Sequence, residues 1–245
     1  MINLKRLFTG PLSEIDWEEY FSRNAREQLV IEFTAENYLT EQEKKRIAPS
    51  VRMFQAGEAS EGKHLLKAAE RYAKKSSDMP YLKAVKWFIA EENRHSYYLD
   101  RYMEYYGIPK RRKNRLDDWF RRLRKFGGLK GEVIVLVTAE MIALSYYQAL
   151  AACTGSCVLK RICRQMLHDE LRHLVFQSHT LYKLKSSPLQ KIVRIVLMQM
   201  TIWAVWPALR SVLKEGGYSY RHFYRESMGY LRQSMRIAGK GEIEA

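Results

Sequence analysis

Two short stretches decide the fold: Glu170-Leu171-Arg172-His173 and its earlier counterpart, Glu92-Asn93-Arg94-His95. Residues three positions apart lie on one face of an α-helix, so each stretch directs a carboxylate and an imidazole to the same side. Apolar residues flank both pairs along that face, which indicates that the face points toward a core. A buried carboxylate is costly unless a cation meets it, and a bound metal ion is such a cation. Each stretch is therefore half of a candidate metal site.

Two single glutamates precede these pairs at nearly equal distances along the chain. Glu61 lies 31 positions before Glu92, and Glu140 lies 30 positions before Glu170. Each half of the chain would then form a helical hairpin with one glutamate on its first helix and the Glu-x-x-His pair on its second. Two hairpins make a four-helix bundle in which four carboxylates and two imidazoles converge. This mixture of oxygen and imidazole ligands favours iron or manganese over zinc or copper.

The remaining sequence predicts an all-α protein. Its 245 residues are enough to bury one core, and apolar residues recur every three or four positions over long runs. The alternation typical of strands is absent. We expect a single helical domain over residues 1–245, with a four-helix metal-binding core at about 50–184. N-terminal and C-terminal helical extensions flank this core, the second at about 187–238.

Turn signals and periodicity give approximate limits for the core helices. They are helix A over Ser50–Lys75, helix B from Pro80 to Gly107, helix C over Gly131–Ala152, and helix D, which ends near Leu184. A basic crossover between helices B and C would contain a short helix at Leu116–Phe126. In the C-terminal extension, one helix begins at Ser187-Pro188 and another covers Tyr218–Arg236.

The complete pattern resembles the ferritin-like superfamily of di-iron carboxylate proteins, which includes ferritins, rubrerythrins and carboxylate-bridged oxygenases, over about residues 50–184. The resemblance implies an antiparallel four-helix bundle that binds two iron ions, with manganese or a mixed pair as alternatives. It assigns the metal ligands to Glu61, Glu92, His95, Glu140, Glu170 and His173. By the same resemblance, Glu92 and Glu170 bridge the two metals, and each of the other four residues binds one metal.

Two glutamates on helix A compete for one ligand position. The segment Ala56-Gly57-Glu58-Ala59-Ser60-Glu61 places them one turn apart, and it resembles rubrerythrins with Glu58 as the ligand. Symmetry with the second hairpin favours Glu61, and binding by both residues in turn is a further alternative. His64 completes a third Glu-x-x-His, which we interpret as an outer or surface residue because no other helix supplies an equivalent histidine.

Two further side chains are candidates for the surroundings of the metals. Tyr147 lies two turns beyond Glu140 and should face the same interior. It would be a core residue, a hydrogen-bond partner near the metals or a radical site. Asp169 is placed to hold a ligand histidine through the distal ring nitrogen, as metal sites commonly require.

The expected function follows from the expected metals. A di-iron centre with open positions binds and reduces O2, and the protein determines what is oxidised. We expect a non-haem di-iron oxidoreductase, an oxygenase, hydroxylase or oxidase of a small organic substrate. The sequence has no Cys-rich rubredoxin-like segment and no dinucleotide fingerprint, so it needs an external electron donor. The alternatives are a rubrerythrin-like ferroxidase or peroxide scavenger, an RNA- or membrane-associated di-iron hydroxylase, and a non-enzymatic helical binding scaffold.

Charge and cysteine content bear on partners and compartment. The formal net charge of +15 is compatible with RNA, an anionic membrane surface or acidic partners, and equally with a soluble basic protein whose Lys and Arg lie on solvent faces of helices. The candidate RNA contacts are Lys110–Lys113 and Arg121–Lys125. Three cysteines without paired ligand spacing indicate a reducing compartment, and Met1–Gly10 has no apolar run of signal-peptide length. We expect a cytoplasmic protein, or one peripheral to a membrane. The apolar stretch Ile195–Leu209 favours packing on the bundle or on a homodimer partner, with an in-plane membrane anchor as the alternative.

Overall fold

The protein is all-α, as predicted. The computed structural model describes residues 2, 4, 8, 10–34, 39–59, 62–110, 127–185 and 187–243. The helices are α1 (Trp17–Asn24), α2 (Glu41–Glu58), α3 (Lys63–Ser76), α4 (Met79–Tyr105), α5 (Gly128–Cys153), α6 (Cys157–Lys183), α7 (Pro188–Glu215) and α8 (Tyr220–Lys240). A short 3-10 helix covers Leu12–Glu14, and the two-residue strands β1 (Gly10–Pro11) and β2 (Glu242–Ile243) pair antiparallel.

Polar residues cap three of the long helices, α4, α6 and α7, near the positions that the sequence indicates. The Asp78 carboxylate accepts a hydrogen bond from the backbone N–H of Tyr81 at 3.1 Å and starts α4. The Ser156 hydroxyl accepts one from Leu159 at 2.9 Å and starts α6. Ser187 forms a complete capping box at the start of α7. These caps satisfy N–H groups that the helices themselves leave unpaired.

The predicted helix A is wrong as one continuous element. Its first part is α2, which ends at Glu58, and its second part is α3, which begins after Gly62. Gly62 has a φ of +57°, in the left-handed region that side chains other than glycine rarely adopt. Ile89 of α4 packs so closely that a Cβ on Gly62 would lie 2.7 Å from its Cγ2 atom. The chain turns at Gly62, and both α2 and α3 pack against α4.

The helices form a closed ring of contacts around a buried interior. Helix α4 packs against α2 and α3 on one side and against α6 on the other, α6 packs against α5, and α5 contacts α3. Helix α1 lies on α4, while α7 and α8 lie on α5 and α6. Buried hydrophobic side chains from Leu4 to Ile243 belong to one continuous cluster, which includes residues of every helix. The interior of this ring is therefore shielded at its sides.

Part of the predicted crossover lies outside the described residues. This applies to the short helix at Leu116–Phe126, to positions 111–113 of the first basic cluster and to the whole Arg121–Lys125 cluster. Lys110 is described and exposed, and its Nζ atom lies 2.7 Å from Asp100 Oδ1.

Two helices are long and apolar enough to cross a membrane by length and composition alone, namely α5 and α7. The most apolar window of α5 is 89% buried, as in the core helix of a soluble protein, whereas that of α7 is 33% buried. One face of α7 packs on the bundle. The other face exposes apolar side chains, namely Leu189, Ile192, Val193, Val196, Met200 and Trp203. These two helices are only a weak indication of a membrane.

Replacing Gly62 should destabilise the fold. In Gly62→Ala, the methyl group meets Ile89 and the backbone is held at a positive φ, so we expect a loss of about 1–3 kcal/mol in the free energy of unfolding. Gly57→Ala is the matched control, because Gly57 lies inside α2 and an added Cβ meets nothing within 4 Å. This control should be neutral or more stable by up to about 1 kcal/mol. Urea unfolding measures both, and equal losses in the two variants would contradict the proposed turn.

Candidate metal centre

Acidic and imidazole side chains from four helices meet inside the ring. They are Glu58 of α2, Glu92 and His95 of α4, Glu140 of α5, and Glu170 and His173 of α6. All are buried except Glu92, whose side chain is 14% exposed. Glu92, His95, Glu170 and His173 each offer one ligand atom, and these four atoms all lie within 4.8 Å of one another. This group could hold a metal ion.

Of the two glutamates that compete on helix A, the structure describes Glu58 at the centre. Glu58 is the last residue of α2 and is buried beside Glu92 and Glu170. Glu61 lies outside the described residues. His64, which follows on α3, is exposed, in agreement with the surface interpretation.

The His95 ring lies between an inner and an outer carboxylate. Its Nδ1 atom faces the interior, 3.3 Å from Glu170 Oε1. Its Nε2 atom lies 3.0 Å from Asp169 Oδ2. The sequence led us to expect Asp169 at the distal nitrogen of a histidine, and this contact is present. The outer carboxylate fixes the ring so that Nδ1 faces the interior.

The His173 ring is held in the same way from the opposite side. Its Nδ1 atom lies 2.9 Å from Glu92 Oε1 and 3.3 Å from Glu170 Oε2. Its Nε2 atom lies 3.1 Å from Glu91 Oε2. Phe88 packs edge-on against this ring, with the ring centroids 4.6 Å apart, and excludes water from that side. Both imidazoles therefore present Nδ1 to the shared carboxylate of Glu170.

Two side chains of this outer layer, Glu91 and Asn24, were not predicted from the sequence. Glu91 directly precedes Glu92, just as Asp169 precedes Glu170, so the internal repeat was the signal that would have found it. Asn24, at the end of α1, donates from Nδ2 to Glu91 Oε1 and, at 3.2 Å, to Asp169 Oδ1. Arg94 also donates to Glu91, at 3.0 Å. No local pattern around Asn24 marks it, because its role depends on how α1 packs.

The remaining two carboxylates also have fixed partners. The Tyr147 hydroxyl donates to Glu58 Oε1 at 3.0 Å, and the Gln177 amide donates to Glu140 Oε1 at 2.8 Å. Tyr147 therefore faces the interior, as predicted, and holds a carboxylate there. Burial and the neighbouring Glu58 raise the pKa of Tyr147 well above its ordinary value, so its hydroxyl keeps its proton and remains a donor.

The electrostatics of the carboxyl groups differ within the cluster. Burial raises the pKa of Glu58 and of Glu140 well above the ordinary value, and the charges of Glu92 and Glu170 raise both further. Burial also opposes ionisation of Glu170, but its interactions with Glu140 and with the two imidazoles outweigh burial and lower the pKa of Glu170. Glu170 is therefore the carboxylate whose negative charge the surroundings favour most strongly.

The two imidazoles carry positive charge that offsets the negative charge of the carboxylates. Burial alone would lower the pKa of His95 and of His173, but the carboxylates around them, Asp169 and Glu170 for His95, raise both well above the ordinary value. Protons on the imidazoles and on the carboxyl groups of Glu58 and Glu140 thus offset part of the negative charge. A bound cation would take over this role and displace the protons.

Several inner atoms have no hydrogen bond of acceptable geometry among the described residues. They are Glu92 Oε1, His95 Nδ1 and Glu170 Oε1, all fully buried. Buried polar atoms are nearly always bonded, and a metal ion among these three atoms would satisfy all of them. Carboxylate oxygens and an imidazole nitrogen are metal ligands, and the residues present therefore fit a bound metal ion.

Removing the charge of Glu91 should weaken metal binding without removing a ligand. We expect Glu91→Gln to reduce the affinity for Fe²⁺ by about 10–100-fold, because the Nε2 side of His173 loses its carboxylate. The matched control is Glu104→Gln, an exposed residue on the same helix, whose affinity should be unchanged. Anaerobic titration against a competing chelator measures both. Equal affinities in the two variants would show that Glu91 does not support the site.

Comparison of the chain with protein-family models, with curated proteins and with solved structures finds no match. The side chains of the centre form a buried group of carboxylates and imidazoles, supported by an outer layer of hydrogen-bond partners, which could hold a metal ion.

Proposed function

We propose that this protein is a non-haem di-iron oxidoreductase with a ferritin-like four-helix core. The observation that carries the proposal is the convergence of two imidazole Nδ1 atoms on one buried carboxylate, Glu170, at 3.3 Å each. A tetrahedral zinc ion would use only four of the six acidic and imidazole side chains that meet here. Four carboxylates and two imidazoles from four helices are the ligand set of dinuclear carboxylate proteins.

The ligands divide into two equivalent halves. Glu58 and His95 would hold one ion, because His95 is the imidazole whose charge acts on the Glu58 carboxyl. Glu140 and His173 would hold the second, since Glu140 Oε2 lies 3.9 Å from His173 Nδ1. Glu92 and Glu170 would be shared. This assignment uses Glu58 as the ligand from helix A.

The helix arrangement supports the same proposal. The ring of α2 with α3, α4, α6 and α5 has the contacts that a four-helix bundle needs. Short links join α3 to α4 and α5 to α6, which suits antiparallel neighbours. The turn at Gly62 is the departure from a simple bundle, and it occurs directly after the segment that carries Glu58.

The donor set favours iron over zinc or copper. Oxygen ligands outnumber nitrogen ligands, and no thiolate contributes, although Cys163 is buried on α6. Manganese, or one ion of each, would suit the same ligands. Two iron ions with open positions would supply the transfer of electrons to O2, and the electrons would come from an external donor.

The protein's own residues have three tasks in this chemistry. The outer carboxylates Asp169 and Glu91 orient the imidazoles. Tyr147 and Gln177 hold the carboxylates of Glu58 and Glu140 in place. Apolar and aromatic packing keeps bulk water away from the centre, so that the oxidising equivalents would reach a small organic substrate rather than solvent.

A second function is favoured by the position of Glu58. The segment Ala56-Gly57-Glu58-Ala59 resembles rubrerythrins, and the structure buries Glu58 beside the other ligands. A ferroxidase or peroxide scavenger would use the same ligands, with iron or peroxide in place of an organic substrate. Peroxide consumption by the reduced protein in the absence of O2 would favour this second function.

The direct test combines metal stoichiometry with O2 uptake. We expect two Fe²⁺ ions per chain in anaerobic titration, and O2 uptake by the reduced, loaded protein. Glu170→Ala should lose both ions, because Glu170 contacts both imidazoles. Glu104→Ala, an exposed control on α4, should keep them. A Glu170→Ala protein that retains its full metal complement would overturn the assignment.

Metal affinity should fall as the pH falls. The pKa values of both imidazoles and of Glu58 and Glu140 are raised, so these groups hold protons that the metal must displace. Because the two histidine values lie above 6.5, this competition extends above pH 6.5. Calorimetric titration with Mn²⁺ in two buffers of different ionisation enthalpy measures the protons released. Affinity that stays constant from about pH 6 to pH 8 would contradict these protonation states.

A further inference from the structure

A second polar site lies outside the metal centre, at the end of α6. A cavity of about 280 Å³ opens between the last turn of α6, the first turns of α7 and the end of α8. Its polar lining is cationic, with Lys185, Lys191 and Arg194, and its apolar lining includes Tyr182 and Met235. The cavity shares no residue with the metal centre, and its interpretation does not depend on the proposed function.

Arg194 is the unusual member of this lining. Only 1% of its surface is exposed, which makes it the largest fully buried side chain among the described residues. One guanidinium nitrogen donates to Ser234 Oγ at 2.5 Å, whereas Nε has no hydrogen-bond partner among the described residues. Burial is the sole cause of its pKa shift, to about 10, so the guanidinium remains charged at neutral pH and no described carboxylate balances it.

A buried charge without a counter-ion is strongly unfavourable, so the site requires an anion. Helix α7, which carries Arg194, contains no Asp or Glu other than Glu215 at its end. The nearest acid along the chain, Glu215, is already paired with Arg46 at 2.9 Å. Further positive charge is close by, since the Lys130 ammonium donates to the backbone oxygen of Lys185 at 3.0 Å.

We propose that this cavity binds a phosphate group, which Arg194 contacts from the buried side and Lys185 and Lys191 contact from the open side. A guanidinium matches the geometry of phosphate oxygens, and it can donate two parallel hydrogen bonds. Three cationic side chains suit a phosphate monoester, with its charge of about −1.5 to −2, better than a singly charged carboxylate. The cavity volume accommodates the phosphate together with a small attached group.

The phosphate has two possible sources, a soluble phosphate ester or the headgroup of an anionic lipid. The first turns of α7, which contribute Lys191 and Arg194, also begin the exposed apolar face with Leu189, Ile192 and Val193. The acyl chains of a lipid would meet such a face, whereas a soluble ester would leave it in water. The chemistry at Arg194 is the same in both cases.

Calorimetric titration of the full chain with inorganic phosphate, at constant ionic strength in chloride, tests the site. We expect one saturable phosphate per chain. Arg194→Met should weaken binding by roughly 10–100-fold, since it removes the charged donors. Lys191→Gln, at an exposed position, should also weaken it and is the deciding variant if Arg194→Met does not fold. Arg210→Gln, an exposed arginine on the same helix, should bind phosphate like the unmodified protein.

Vesicles of phosphatidic acid and of phosphatidylcholine distinguish the two sources. Sedimentation with phosphatidic acid that requires Arg194 or Lys191 and is reduced by inorganic phosphate supports the site with a lipid headgroup. Saturable binding of inorganic phosphate without vesicle binding supports the site with a soluble ester. The proposal is wrong if inorganic phosphate does not bind above chloride, or if neither Arg194→Met nor Lys191→Gln weakens its binding.

Discussion

Burial of several carboxylates in one interior is the constraint on which the rest of the structure depends. Negative groups so close together repel one another and lose their hydration, so positive charge must accompany them. The imidazoles of His95 and His173 supply part of it, and protons held by Glu58 and Glu140 reduce the remainder. Both imidazoles contact Glu170, so the negative charge of this carboxylate is the one most directly offset.

Each histidine of the centre is oriented by a carboxylate from the other hairpin. His95 of α4 is held by Asp169 of α6, and His173 of α6 is held by Glu91 of α4. Asn24 of α1 then links the two outer carboxylates. Because each hairpin orients the ligand of the other, the geometry of the site depends on the α4–α6 contact. A site of this kind is preorganised by tertiary packing, which would limit how far these side chains relax in the absence of a metal.

The repeated part of the site could be predicted from the sequence, whereas the features that depend on tertiary packing could not. Residues three apart on an apolar face were enough to identify both Glu-x-x-His pairs, because helix geometry fixes their direction. The turn at Gly62 was missed, since a lone glycine in a periodic segment does not reveal a positive φ that depends on Ile89 of another helix. Asn24 and the buried state of Arg194 were missed for the same reason: both follow from packing between elements distant in sequence.

The most direct test of the account is anomalous diffraction at the iron edge from crystals loaded anaerobically with Fe²⁺. We expect two anomalous peaks about 3.5–4 Å apart. Both should lie between Glu92 and Glu170, with one near His95 and the other near His173. No peak inside the helix ring, or iron bound only at the protein surface, would contradict the central claim that these side chains share a pair of metal ions.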